Sequence, residues 1–266
     1  MATVNRNAQL GQVDQIAQVD QVAQIAQIAQ VTQIAMIAGP RNISTTMMRA
    51  FEARGDCAVY DEPFYGCYLK QTRLPHPMRD QIIKAMETDW QAVIAHLSTP
   101  LPNGITLSFE KHIAFHFTQD APLDWLGTRK IFLLIRNPRA MVASYVRKYD
   151  HTAPLIDSLT FQRRLFDTLS AKNMPCPIID SDDILRAPKQ MLSRLCEALS
   201  IPFDQGMLSW SSGLRASDGI WAPHWYDAVA SSTGFKPYQE RKISLAPDQE
   251  KIAQACYDDY LSLIHI

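Results

Sequence analysis

The chain has 266 residues, with 26 Lys plus Arg against 27 Asp plus Glu, a formal net charge of −1, and 47% hydrophobic residues. This is enough apolar material for one large α/β domain or two small ones, and the balanced charge provides no whole-protein field to hold a polyanion, so nucleic acid is not an expected partner. Five scattered cysteines without a C-x-x-C pair argue against a disulfide framework or zinc ribbon, and no apolar run reaches the roughly 18 to 20 residues of a membrane span.

Glutamine recurs every third position from Gln9 to Gln33, and from Gln12 onward each is followed by Val or Ile. A three-residue step winds around an α-helix and alternates faces on a strand, so neither element acquires a lasting buried side. Residues 1–30 therefore read as a low-complexity tail outside the core. Beyond it, apolar runs predict strands at Ile34–Ala38, Ala58–Asp61, Ile105–Phe109, Lys130–Ile135 and Pro177–Ile179. Helical patterns fall at Ser44–Arg54, Met78–Leu97, Pro138–Lys148, Thr160–Lys172, Pro188–Leu199 and Pro247–Leu261. This alternation predicts βαβ units and a mostly parallel sheet covered on both faces, with ligands beyond the C-terminal strand ends.

After the first strand comes Gly39-Pro40-Arg41-Asn42-Ile43-Ser44-Thr45-Thr46, leading straight into a helix. Backbone N–H groups and hydroxyls at a helix N-terminus form an anion site, although the Gly-Lys of a Walker A loop is missing. The second strand ends in Asp61-Glu62-Pro63-Phe64, and the third runs into Glu110-Lys111-His112, with His116 four residues on. That spacing allows His112 and His116 a shared helical face, but no third metal ligand is evident. The fourth strand ends in Arg136-Asn137-Pro138-Arg139, and Ser144 follows Arg136 by eight residues, so both can reach one phosphate.

These paired phosphate motifs resemble the 5′-phosphosulfate loop and 3′-phosphate motif of sulfotransferases that use 3′-phosphoadenosine 5′-phosphosulfate (PAPS). Ile178-Ile179-Asp180-Ser181-Asp182-Asp183-Ile184-Leu185 and Ile201-Pro202-Phe203 resemble the family's later strand and helix start with its following segment. The Gly-Pro-Arg-Asn-Ile-Ser-Thr loop and Asp-Glu-Pro-Phe turn are most similar to a bacterial sulfotransferase-like branch. Arg41 stands where familiar cytosolic members have Lys, and Ile43 replaces the usual Gly.

The resemblance implies a P-loop-type three-layer α/β/α sulfotransferase-like fold over residues 31–266, with PAPS as donor, PAP as product and no metal. It implies transfer of a sulfuryl group to a hydroxyl or amine of a small-molecule acceptor by in-line displacement with a general base. Arg41, Asn42, Ile43, Ser44, Thr45, Thr46, Arg136, Ser144 and, in an altered C-terminal basic motif with Arg241 and Lys242, Lys236 are the implied donor-binding residues. Lys111 matches the family's strand-end Lys, Arg41 is the cation at the leaving group, and Glu62 or His112 is the base, with Glu62 favoured. Phe64, His116, Trp221 and Trp225 are candidate acceptor contacts, and Asp61, Glu62, Asp182 and Asp183 would tolerate a cationic acceptor. The competing readings are a P-loop kinase-like phosphotransferase and a non-catalytic nucleotide-binding protein; the missing Gly-Lys argues against the kinase. The cysteine usage and the absence of a basic-then-apolar leader point to the cytoplasm.

Overall fold

The computed structural model describes residues 31–149, 152–240 and 242–264. The glutamine repeat over residues 1–30 and Arg241 lie outside them. Five parallel strands, β1 (Thr32–Ala38), β2 (Cys57–Asp61), β3 (Leu107–Ile113), β4 (Lys130–Ile135) and β5 (Ile178–Asp180), form one sheet in the order β2-β3-β1-β4-β5. The helices are α1 (Ser44–Glu52), α2 (Tyr65–Thr72), α3 (Arg79–Ala85), α4 (Trp90–Leu97), α5 (Pro138–Tyr145), α6 (Ala153–Ala171), α7 (Ser181–Arg186), α8 (Pro188–Ala198), α9 (Ala222–Trp225), α10 (Asp227–Ala230) and α11 (Pro247–Ile264).

A strand buried on both faces reads as a continuous apolar run, and side chains of period two divide it between two cores. Ala35 and Ile37 face one layer with Leu133, Ile135, Val142, Leu159 and Tyr260, which brings in α5, α6 and α11. Ile34 and Met36 face the other with Met47, Phe51, Phe132 and Leu192, which brings in α1 and α8. The result is the expected three-layer α/β/α arrangement. The chain leaves β1 toward β2 and β3 on one side and later reaches β4 and β5 on the other, so the carboxyl end of β1 is the topological switch point where such sheets bind ligands.

The structure also corrects element boundaries. The expected helix Met78–Leu97 is two helices, because Met86 is extended and Asp89 starts α4 afresh by accepting a hydrogen bond from the Ala92 N–H at 2.9 Å. The third strand runs to Ile113 instead of ending at Phe109, so Glu110, Lys111 and His112 are strand residues. The sixth helix begins at Ala153, about two turns before the expected Thr160.

Candidate active site

The loop from β1 to α1 turns on left-handed residues. Arg41 has φ 63° and Ile43 has φ 55°, the second at the position where glycine was missed. A β-branched side chain in this region costs roughly 1 to 2 kcal/mol, so the loop keeps the glycine-like path under strain. Its packing explains the persistence. Asn42 is fully buried beneath the loop and donates to the Leu134 carbonyl at 3.1 Å, while the Ser181 hydroxyl donates to the Asn42 carbonyl at 3.1 Å and that of Ile135 at 2.7 Å. Gly39 leaves room for this tuck, since a Cβ there would lie 2.8 Å from Asn42 Nδ2. No side chain caps α1, so its first N–H groups, at Ser44 to Thr46, are available to an anion.

Three arginines converge beside that helix end. Arg41 Nε donates to Ser144 Oγ at 3.3 Å, and Arg136 Nη1 donates to the Arg41 carbonyl at 2.7 Å. Burial lowers the pKa of both guanidinium groups, and Arg147 adds repulsion to each. Asp182 lies 3.9 Å from Arg136 Nε, too far for a hydrogen bond. An excess of positive charge with few acceptors is an anion site in waiting.

On the other side of α1, Asp61, Glu62, Lys111 and Tyr226 form a buried knot. The Lys111 ammonium, 1% exposed, donates to Asp61 Oδ1 at 2.7 Å and Glu62 Oε1 at 2.6 Å and lies 2.6 Å from the Tyr226 hydroxyl. Its burial works against the charge, but Asp61 and Glu62 overcome this and hold its pKa well above the usual value. Asp61 is committed on both oxygens, to Lys111 and Tyr226 and to the Gly219 N–H at 2.9 Å. Glu62, at φ 49°, swings its carboxylate off the end of β2 and leaves Oε2 toward His116, 3.9 Å from Nδ1. Burial raises its pKa above the ordinary carboxylate value, opposed by Lys111 and helped by the Asp61 charge.

Apart from Asp61, these groups line one cavity of about 1180 Å³ that runs from the arginines past Glu62 into an aromatic chamber. His116 stacks on Tyr65 with centroids 4.4 Å apart and on Tyr68 at 5.0 Å. Burial, with His76 and Lys111 adding to it, lowers the His116 pKa well below the usual value, so the ring is neutral at neutral pH. Trp221, Trp225 and Tyr149 complete the wall, the last two stacked at 4.9 Å.

Arg41, Ile43, Ser44, Thr45, Thr46, Glu62, Lys111, His116, Arg136, Ser144, Trp221, Trp225 and Lys236 are thus brought to one cavity. Five expected residues are not, Asp61 and Asp183 among them: Asp61 is enclosed in the knot, and Asp183 accepts from Arg186 at 2.8 Å. The Asn42 side chain points under the loop. His112 lies on the opposite face of β3 from Lys111, as period two requires, with Nε2 3.1 Å from Glu110 Oε2 and its ring stacked on Phe64. Phe64 is 1% exposed in the core, against Trp90 and Trp125. The shared helical face of His112 and His116 does not exist either, because His112 is on the strand and His116 closes a short 3-10 turn. Arg147, Tyr226, Tyr65 and Tyr149 enter the site without a motif, although Tyr226 directly follows Trp225 and stands in a stretch dense in aromatic residues.

Residues 32–259 match the model of the sulfotransferase domain family. The chain belongs to that family. It is 34% identical over 206 residues to branched-chain-amino-acid aminotransferase-like protein 2 of Arabidopsis thaliana, covering 76% of this chain and 36% of that protein. Protein 1 of the same name is 33% identical over 199 residues, 74% of this chain and 35% of its own length. The chain therefore spans about a third of the curated relatives it matches. Among solved structures, the sulfotransferase domain of the Synechococcus PCC 7002 olefin synthase superposes with a TM-score of 0.51 at 16% identity, covering 85% of this chain and 94% of that one. A sulfotransferase from Alicyclobacillus acidocaldarius gives 0.53 at 10%, with 87% and 94% covered. Both share the fold of this sulfotransferase-family chain. Among the described residues, no helix is long and apolar enough to cross a membrane.

Proposed function

We propose that the protein transfers a sulfuryl group from PAPS to a hydroxyl or amine of a small molecule. The observation that carries this reading is the pair of anion positions on one cavity: the uncapped N-terminus of α1 and the Arg136–Ser144 pair beside Arg41. The first suits a phosphosulfate and the second a 3′-phosphate, while Lys236 lines the same cavity as a further cation.

PAPS supplies an activated sulfuryl group whose transfer builds negative charge on the departing phosphate. Arg41 and the N–H groups of α1 neutralise that charge without reorganising. Glu62 Oε2 is the proton acceptor, because Asp61 is fully engaged and His112 is outside the cavity. Burial, by raising its pKa, makes it a stronger base than an ordinary carboxylate. Lys111 faces the sulfuryl position. The aromatic chamber with neutral His116 takes the body of the acceptor, and the Glu62 carboxylate at its floor tolerates a cationic one.

The test is a comparison of thermal shifts with PAP and AMP. PAP alone carries the second phosphate, and a charge-assisted contact contributes roughly 1.5 to 3 kcal/mol, so PAP must stabilise far more. Equal shifts would remove the reading, and mass-spectrometric profiling of acceptors with PAPS then reads the transfer itself.

A further inference from the structure

The buried knot around Lys111 contains two members that the transfer has not used, Asp61 and Tyr226. Tyr226 lies on the short turn between α9 and α10, 165 residues from Asp61, and its hydroxyl donates to the Asp61 carboxylate, 2.8 Å from each oxygen. The same oxygen accepts from Trp221 Nε1 at 3.1 Å and from Lys111 Nζ at 2.6 Å. An ammonium has three hydrogens, and here Asp61, Glu62 and Tyr226 take all three. In this state Lys111 has no donor left for an oxygen of the sulfuryl group.

The three contacts differ in permanence. Asp61 and Tyr226 hold each other and are further held by Gly219 and Trp221, so two of the hydrogens are fixed. Glu62 is joined to Lys111 through Oε1 alone and keeps Oε2 toward the cavity. The charges of Lys111, Asp61 and Glu62 sum to −1 while Glu62 is ionised and to zero once it is protonated. A neutral carboxylic acid is a weaker acceptor for the ammonium than a carboxylate.

We propose that Tyr226, anchored on Asp61, is a positioning residue for the transfer: it holds Lys111 so that the hydrogen lent to Glu62 is the one released to the sulfuryl oxygens when Glu62 takes the acceptor's proton. In that step the bond between the acceptor and sulfur forms, and the bond from sulfur to the bridging oxygen breaks with its electron pair to the 5′-phosphate. The acceptor's proton passes to Glu62, and Lys111 stays charged throughout. Proton removal and delivery of the cation to the developing charge are thereby one event. This inference rests on the reading of Glu62 as the base.

The opposite effects of the two anchors provide the test. Tyr226→Phe removes a donor from Asp61, which then draws Lys111 away from Glu62, so the Glu62 midpoint rises by about half to one pH unit. Asp61→Asn removes the competing charge, leaves Lys111 to Glu62 and lowers the midpoint by a similar amount. The Glu62 carboxyl is followed by 13C NMR in the protein with and without PAP, its signal assigned by its loss in Glu62→Gln. Tyr226 and the Asp61 charge also act on Glu62 directly, lowering and raising its pKa, so the midpoints are read together with the Lys111 15Nζ resonance. Shifts of opposite sign with that resonance displaced in Tyr226→Phe support the clamp, whereas general loosening of the fold would move both midpoints alike; a Lys111 resonance unmoved in Tyr226→Phe, or any pattern other than up for Tyr226→Phe and down for Asp61→Asn, overturns it. Should Tyr226→Phe not fold, the wild-type Lys111 15Nζ resonance decides: it must move with the Glu62 midpoint, and a resonance indifferent to it overturns the proposal. A Glu62→Gln variant that still turns PAPS over at the wild-type rate would instead sink the base assignment, separately from the clamp.

Discussion

Replacing Glu62 by Gln keeps the shape of the side chain and its contact to Lys111 but removes the proton acceptor proposed above. Two features of the structure set the size of the effect. Among the described carboxylates lining the cavity, Glu62 alone has one oxygen directed at the neutral His116 and the aromatic chamber, and Asp61 cannot substitute because both its oxygens are bound. The loss is therefore that of a general base, on the order of a hundred- to ten-thousandfold in turnover. PAP affinity should change by less than about threefold, because Glu62 is apart from the arginines that would hold the phosphates. His112→Asn provides the contrast. Its imidazole is buried against Glu110, which also accepts from Arg129 Nε at 3.2 Å, so the variant should lose stability, roughly 1 to 3 kcal/mol, with turnover at permissive temperature within a few fold. The assay is PAP release from PAPS followed by chromatography across pH. Turnover in the wild type must fall as pH drops through the Glu62 pKa, since only the ionised form accepts a proton, and burial places that limb above the ordinary carboxylate range. The limb should vanish in Glu62→Gln. Retention of more than a tenth of turnover in Glu62→Gln, or a hundredfold loss in a stably folded His112→Asn, would refute the reasoning.

Arg136→Ala should weaken PAP by at least about tenfold and AMP hardly at all, measured by calorimetry; equal losses would place the 3′-phosphate elsewhere. Asp218→Ala leaves Arg49, 1% exposed, without the carboxylate that it holds at 2.6 Å, and should cost about 3 to 5 kcal/mol in denaturant unfolding. Burial raises the Asp180 pKa from 3.8 to about 6, so the proton it binds favours the folded state below pH 3.8 and this contribution is lost as pH rises through 6. Asp180→Asn, whose Oδ1 can still cap α7 while its amide N–H donates to the Tyr260 hydroxyl, should therefore gain on the order of 1 to 3 kcal/mol at pH 8 and nothing below pH 4; an equal gain at both would exclude the linkage.

The sheet was legible because fully buried strands leave apolar runs, and the turn from β1 into α1 was legible because its residue types follow a strand and open a helix. The errors cluster where polar residues are paired across the chain. Glu110, Lys111 and His112 read as lying beyond a strand that ends at Phe109, yet all three are inside it, Glu110 and His112 satisfied by Arg129 and each other on one face and Lys111 by Asp61 and Glu62 on the other. Periodicity records burial, but a charge can be buried when a partner some fifty residues away arrives at the same strand end, and no local pattern announces it. The same holds for Tyr226. In sequence it is one aromatic among several, and only the return of the chain after α9 brings its hydroxyl to Asp61.

Strain at the strand ends ties these two lessons together. Arg41, Ile43 and Glu62 are all left-handed without being glycine, and all three line the cavity. At roughly 1 to 2 kcal/mol each, such conformations persist only where surrounding contacts over-determine them. Here the contacts are identifiable: Asn42 and Ser181 pin the first turn from below, and the Glu62 N–H donates to the Lys111 carbonyl at 2.9 Å, carrying the ladder one residue past β2. The rigid sheet thus sustains a loop that exposes its N–H groups and a carboxylate aimed away from its own strand. Ile43 holds this left-handed turn at a cost that glycine would not incur, and the buried network beneath the loop is what offsets it.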